Sequence, residues 1–464
     1  MPQDEYVNRL YGRQQETNTN TNGHVNGSQQ ARAKRNGSLP EDYPAVYDQA
    51  KKLFWDKNSR GEWMAYGEAQ FQRKLSFIGV QKEATKADGM NGMQYAMTEI
   101  MEEKSVHFAG ELAGYPVGSY DILGNRILIT RGPRIPRPQN GPFPTITCLL
   151  DSLLGAERRY FDAWIKSALN AMKAGSPFRP GQVLGIAGPA GCGKSLLQDL
   201  ITEILGGRSG KPYRYLIGAT TFNSDLFRAE HLVIEDEPAS VDGRSRRHFA
   251  GAIKGLCANR VQSFHPKGKD SMPLTPFWRV SISVNDDQDH LMVLPPLDES
   301  LMDKIILLRA SQAVFPYDAD DLDGRKAYRE QLSAELPGYL FWLRAWKMPA
   351  AMRDKRYGCI AYQNPDLKRM LEDLEPEHKL WVLIQALGVI PKGFEGWTGT
   401  SGKLELLLRE KDRSGDVART LYYNTACGVL LDRLNKLYPE NVIKKSVGHR
   451  QHVYQIIVPD DDTF

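Results

Sequence analysis

The sequence predicts an α/β fold built on a parallel sheet, and three features predict it. The apolar run Val183-Leu184-Gly185-Ile186-Ala187 leads through a glycine-rich turn into a helical pattern over 196–205. A second run, Leu232-Val233-Ile234, passes directly into three acids, Glu235-Asp236-Glu237. A third, Val280-Ser281-Ile282-Ser283-Val284, ends at the amide Asn285. Short apolar runs that alternate with helical patterns read as the buried strands of a parallel sheet.

The chain is 464 residues long, more than one ordinary compact domain holds, so two or three units are expected. Hydrophobic residues make up 41% and charged residues 25%, which is ordinary globular usage. No apolar run approaches the roughly 20 residues that span a bilayer, and the polar start lacks the apolar stretch of a signal peptide. A cytoplasmic location without a membrane partner is therefore expected. Five cysteines stand singly, with neither zinc-site spacing nor a disulfide framework, and read as reduced thiols. The net charge of +4 is mild, so any contact with nucleic acid has to come from locally placed charge.

Residues 1–42 hold few apolar residues and are predicted to be a disordered polar tail with a small basic cluster, Arg32, Lys34 and Arg35. Residues 43–179 read as an accessory or oligomerisation domain of mixed helix and strand. Helical spacing runs over 69–78 and 158–174, a short strand over 126–130, and a Pro- and Gly-rich loop follows to 144. The core is expected over 180–312, a helical extension over 313–393 that includes a helix at 327–346, and a last domain over 394–464. That last segment shows a capped helix after Thr400 or Ser401, a second helix over 424–438, and a hairpin around Gly448.

Gly188-Pro189-Ala190-Gly191-Cys192-Gly193-Lys194-Ser195 is the GxxxxGK[ST] phosphate loop in its strand–loop–helix context. Its glycines let successive N–H groups face phosphate, and the helix that begins near Leu196 adds its positive end. Lys194 would reach the terminal phosphates of ATP and the Ser195 hydroxyl would hold Mg2+. The acids would complete the site, one holding the metal and one polarising the attacking water. Glu235 with Asp236 is the favoured pair, and Asp236 with Glu237 is the alternative. Asn285 would orient water against the γ-phosphate.

In this order the motifs resemble superfamily three helicases, whose core is AAA+-like. The segment Arg260-Val261-Gln262-Ser263-Phe264-His265-Pro266-Lys267-Gly268-Lys269-Asp270 falls between the acids and Asn285 and carries the most specific part of the likeness. The resemblance implies a hairpin in a ring channel, with Lys267 gripping the DNA backbone and His265 and Lys269 beside it. Compact cations at a glycine-containing tip suit sequence-independent phosphate contact. It also implies an ATP-driven DNA helicase of phage-like or mobile-element replication, with a hexameric ring expected on single-stranded DNA and other replication proteins as candidate partners. The family places an arginine finger where this chain has Lys304, so either Lys304 or Arg309 would act on a neighbouring subunit's site. Softer matches lie at Glu335-Leu336-Pro337-Gly338-Tyr339 and at Phe54-Trp55-Asp56-Lys57-Asn58.

Helices followed by a basic hairpin look like a winged helix, a duplex-DNA appendage of this group, with Arg433, Lys436, Lys444, Lys445, His449 and Arg450 as the cations. Two rivals share the same core. One is an ATPase that binds or melts origin DNA without processive unwinding, and the other is a P-loop ATPase that remodels proteins.

Overall fold

The computed structural model describes residues 39, 43–80, 90–173, 180–235, 237, 243–318, 320–391, 393, 396–447 and 451–459. The tail expected over 1–42 lies almost wholly outside the described residues, as do Asp236, Gly448, His449 and Arg450. Two compact units make up the chain: Met1–Asn285 with Glu299–Gln363, and Asp286–Asp298 with Asn364–Phe464.

The first unit is organised by a five-stranded parallel sheet. Its spatial order is Ile305–Arg309, Val183–Ala187, Arg279–Val284, His231–Glu235 and Ser209–Gly210. Every residue of Val183–Ala187 and Arg279–Val284 is buried, which explains the unbroken apolar run of the first, while the second buries Arg279, Ser281 and Ser283 among its apolar residues. The helix Lys194–Ile204 turns Leu197, Leu200, Ile201 and Ile204 inward at three- and four-residue spacing. They join one core with Pro144–Leu154, Arg158–Ala171 and the long helix Leu322–Ala345. The hydrophobic core therefore draws in elements on both sides of the 180–312 stretch.

Glu335 of the long helix is buried and works as a remote cap. Its carboxylate accepts from Thr145 N at 2.8 Å, Thr145 Oγ1 at 2.7 Å and Ile146 N at 3.1 Å, satisfying the first N–H groups of Pro144–Leu154.

The N-terminal portion of this unit contributes two small sheets. One has the order Trp63–Tyr66, Leu53–Lys57, Val46–Asp48, Ser105–Val106, and the other Phe108–Gly110, Asn125–Ile129, Gly118–Ile122. Backbone bonds stitch this portion to the core: Ala113 N donates to Phe227 O at 2.7 Å and Phe277 N to Ala113 O at 2.9 Å.

In the second unit, Ser401–Lys411 and Ala426–Leu437 pack with Pro376–Ala386 over a three-stranded antiparallel sheet. The sheet order is Trp397–Gly399, Gln451–Ile456, Val442–Val447. Thr400 caps its helix by accepting from Lys403 N at 3.4 Å. No helix among the described residues is long and apolar enough to cross a membrane.

A polar group sits within the sheet core. His231 is fully buried, with Nδ1 2.7 Å from Thr202 Oγ1 and Nε2 2.6 Å from Ser281 Oγ, and Ser281 in turn donates to Gln198 Oε1. Burial, with a lesser contribution from the charge of Lys211, pulls the imidazole from 6.5 down to about 3. Above pH 6.5 the ring is neutral in folded and unfolded chains alike, and pH has no effect through it. As pH falls from 6.5 toward 3, the unfolded ring takes a proton that the folded ring refuses, so stability is lost at up to about 1.4 kcal/mol per pH unit. Urea unfolding at pH 7 and pH 5 should show the wild type losing about 2 kcal/mol more than His231→Gln. Equal losses would mean the ring is not held neutral.

Candidate active site and basic hairpin

Parallel strands place their carboxyl ends on one side, where ligands of such sheets bind. Here that side carries Gly188 after Val183–Ala187, Glu235 at the tip of His231–Glu235, and Asn285 after Arg279–Val284. Val284 pairs with Ala187 and Ser283 with Glu235, so the three tips end level with one another.

The loop between Ala187 and Lys194 is shaped by its glycines. Gly188 donates its N–H to Val284 O at 3.3 Å and passes so close to Ala310 that a Cβ would strike the Ala310 carbonyl oxygen. Gly191 and Gly193 have φ of 72° and 115°, in the left-handed region that favours glycine. Pro189 and Ala190 are exposed, while Cys192 is buried in the core and its carbonyl accepts from Ala313 N at 3.1 Å. Gly193 then caps the helix that begins at Lys194, with Ser195 exposed and Leu196 half-buried in the first turn.

The Lys194 ammonium is the point where the pieces meet. It donates to Gly188 O at 2.8 Å, Pro189 O at 2.7 Å and Asn285 Oδ1 at 3.0 Å. The structure thus brings Lys194 and Asn285, 91 positions apart, into direct contact. Glu235 is half-buried and pairs with Lys211 Nζ at 3.3 Å. Lys211 follows the short edge strand Ser209–Gly210, which pairs with His231 and Leu232. Sequence reasoning missed Lys211, and a lysine after a two-residue strand offers no signal to find it. Glu237 is half-buried, and Asp236 lies outside the described residues.

The two finger candidates differ in setting. Lys304 is buried, with Nζ 2.8 Å from Ser300 O and 2.5 Å from Asp303 Oδ1. Arg309 is exposed at the end of the outermost strand, Ile305–Arg309.

The segment after the helix Gly243–Ala258 forms an antiparallel hairpin, Gln262–Phe264 with Met272–Leu274. Phe264 anchors its base, with ring centroids 5.2 Å from Phe108 and 5.0 Å from Phe227. Buried Asn223 clamps one strand: Nδ2 donates to Ser263 O at 2.8 Å and Oδ1 accepts from His265 N at 2.8 Å. The tip holds Gly268 at φ 73° between exposed Lys267 and Lys269, while His265 is half-buried beside exposed Phe222, rings 5.3 Å apart. Lys269 Nζ donates to Ala50 O in the N-terminal portion.

In the C-terminal unit two expected cations are paired with acids. Arg433 Nη1 lies 3.1 Å from Glu377 and Lys444 Nζ 2.7 Å from Asp432. Lys436 is exposed, and Lys445 Nζ donates to Gln455 Oε1 at 2.8 Å.

Residues 186–299 match the family described as "Family of unknown function (DUF5906)". No curated protein matches the chain. Its fold is similar to that of the NrS-1 C-terminal region. One apo structure aligns with TM-score 0.53 at 12% identity, covering 89% of this chain and 95% of that one. The A-form apo structure aligns with TM-score 0.52 at 13% identity, over 89% and 96%. An inhibitor-bound JCV helicase aligns with TM-score 0.26 at 12% identity over 53% of this chain and 64% of that one, too slight a likeness to carry an argument.

The contact at Gly188 makes a testable distinction within the loop. Gly188→Ala forces a Cβ against backbone and should cost about 1–3 kcal/mol, with added loss from the displaced loop. Gly191→Ala meets open space and should cost only about 1 kcal/mol for its left-handed φ. Equal costs in denaturant unfolding would show that Ala310 yields freely.

Proposed function

We propose that this chain is an ATP-dependent DNA helicase that moves along single-stranded DNA as a hexameric ring in phage-like or mobile-element replication. The observation that carries the reading is the Lys194 ammonium held between two phosphate-loop carbonyls and Asn285 at the common end of the strands. It is supported by the resemblance of the motif order to superfamily three helicases.

The residues present fit a nucleotide with magnesium. A loop that crowds backbone at Gly188 and turns left-handed at Gly191 and Gly193 would offer anionic oxygens its N–H groups other than those of Gly188 and Cys192, which bond Val284 O and Pro189 O. Phosphate would take the place of the two loop carbonyls as partner of the Lys194 ammonium. Ser195 and Asp236 would hold the metal, which when bound neutralises phosphate charge. Glu235 would polarise the attacking water once its carboxylate is drawn from Lys211, and Asn285 would orient that water. Asp236 with Glu237 remains the alternative division of these roles.

Between subunits, the exposed Arg309 suits the finger better than Lys304, because a buried ammonium paired with Asp303 has no reach toward a neighbour. A guanidinium also offers a planar fork to phosphate. Lys267 at the hairpin tip would track the DNA backbone. The helicase reading is preferred to the duplex-binding initiator because Arg433 and Lys444 of the winged-helix-like C-terminal domain are neutralised by carboxylates.

The deciding experiment is unwinding of a forked duplex with ATP and magnesium, beside Lys194→Ala. Strand separation that disappears in the variant, with hydrolysis reduced by about 100-fold or more, is expected. Hydrolysis without strand separation, at every tail length and protein concentration, would favour an initiator or a remodelling ATPase. Lys267→Ala should in addition cut stimulation of hydrolysis by single-stranded DNA by about tenfold. Undiminished stimulation would remove the hairpin from the DNA path.

A further inference from the structure

We infer that the N-terminal portion supplies part of the single-stranded DNA track, through Lys52 and its turn beside the hairpin, with Phe222 as a base-stacking platform. The inference rests on the helicase reading and extends it to residues that no motif marks.

The turn 49–52 joins Val46–Asp48 to Leu53–Lys57 and closes with Lys52 N donating to Asp48 O at 2.8 Å. Buried Asp48 holds it from inside: Oδ1 accepts from Lys51 N at 3.1 Å and Oδ2 from Ala109 N at 3.3 Å. The Lys51 ammonium is spent on this scaffold, 2.7 Å from Ala109 O and 3.7 Å from Asp48 Oδ2. Lys52 is left exposed, with φ of 56°, a conformation that asparagine or glycine would adopt at lower cost. Lys52 makes no ion pair among the described residues, which leaves its charge open to a ligand.

Position supplies a use for it. Lys269 of the hairpin tip bonds Ala50 O in this same turn, so the turn that carries Lys52 touches the hairpin tip. The field at Lys51 includes repulsion from both Lys269 and Arg228, which brings exposed Arg228 into the cluster. Lys52, Arg228, Lys267 and Lys269 are exposed cations of the turn, the neighbouring segment and the hairpin tip. Such a strip, three separate stretches of chain wide, matches a phosphate backbone better than a single point contact does.

Next to the strip Phe222 is 41% exposed, and its ring lies 5.3 Å from the imidazole of His265. An exposed aromatic bordering a cationic strip is the combination by which proteins hold single strands without reading sequence. A duplex, with its bases stacked inside, would leave Phe222 unused.

The test is fluorescence anisotropy of a fluorescein-labelled oligo-dT with the full chain, across a salt series. Lys52→Asn removes the charge and suits the left-handed turn, so folding is preserved. It should weaken binding by about threefold to tenfold and lower the slope of log affinity on log salt by about 0.7. Phe222→Ala should weaken binding by about fivefold or more with the salt slope unchanged. If Lys267→Ala weakens binding while Lys52→Asn and Phe222→Ala do not, the extended track is wrong and the hairpin reading survives. If the wild type does not bind oligo-dT, both fail. Equal affinity for a duplex of the same length, or for labelled poly-glutamate, would also overturn the single-strand track.

Discussion

Everything chemical in this chain depends on the level at which neighbouring parallel strands end. Arg279–Val284 lies between the phosphate-loop strand and the acid-tipped strand, so Asn285 emerges next to both Gly188 and Glu235. A slip of one residue in that pairing would turn Asn285 away and move Ser281 and Ser283 to the opposite face of the sheet. The Gly188 N–H bond to Val284 O and the Lys194 bond to Asn285 Oδ1 both require this register. The buried His231 network works to the same end from below. It joins the phosphate-loop helix, through Gln198 and Thr202, to the strands that carry Glu235 and Asn285. Buried polar groups of this kind are costly unless satisfied in one arrangement, which is why they enforce it.

The N-terminal portion is an extension of this framework. Phe108 packs on Phe264 at the hairpin base, and the loop around Ala113 bonds both Phe227 and Phe277. Glu230, one residue before the acid-bearing strand, accepts from Gly114 N at 2.8 Å and pairs with Arg208. The hairpin is thereby fixed at its root by aromatic packing and by Asn223, while its glycine-containing tip stays at the surface. A rigid base with an exposed cationic tip suits a contact that must keep its direction under load. A tip floating on an unanchored loop would lose that direction.

What was legible in the sequence were the local signals. The phosphate loop, the acid-ended strand, the Asn285 strand and the hairpin each lie within one contiguous stretch whose residues dictate its shape. The C-terminal hairpin was legible for the same reason, since its strands pair residues close in sequence. Hidden from it were contacts between distant stretches: Lys211 with Glu235, Asn223 with the hairpin, Glu335 capping Pro144–Leu154, and Lys269 reaching Ala50. The third strand of the C-terminal sheet, Trp397–Gly399, was hidden too, because three residues are too few to show a period. Burial is the other invisible quantity. Lys304 stands where a finger residue would by pattern alone, and only the fold reveals that Asp303 and Ser300 enclose it.

That enclosure bears on how a ring of this protein would distribute its charges. A cation that serves a neighbour's site must be accessible before the neighbour docks, and its desolvation must be repaid there by phosphate. Lys304 has already lost its water inside its own chain, so drawing it out would cost its bonds to Asp303 and to Ser300 O, which a surface cation does not have to give up. Arg309 ends the outermost strand of the sheet, and its backbone N–H is bonded to Glu157 at 2.8 Å, fixing the main chain from which the guanidinium projects. That strand's outer side is not bare: Leu307 N donates to Tyr362 O at 2.7 Å and Leu307 bridges Gln363, so pairing with a second copy is blocked at that point. In a ring, a finger role would fall to the exposed arginine at the end of this strand rather than to the buried lysine just before its start.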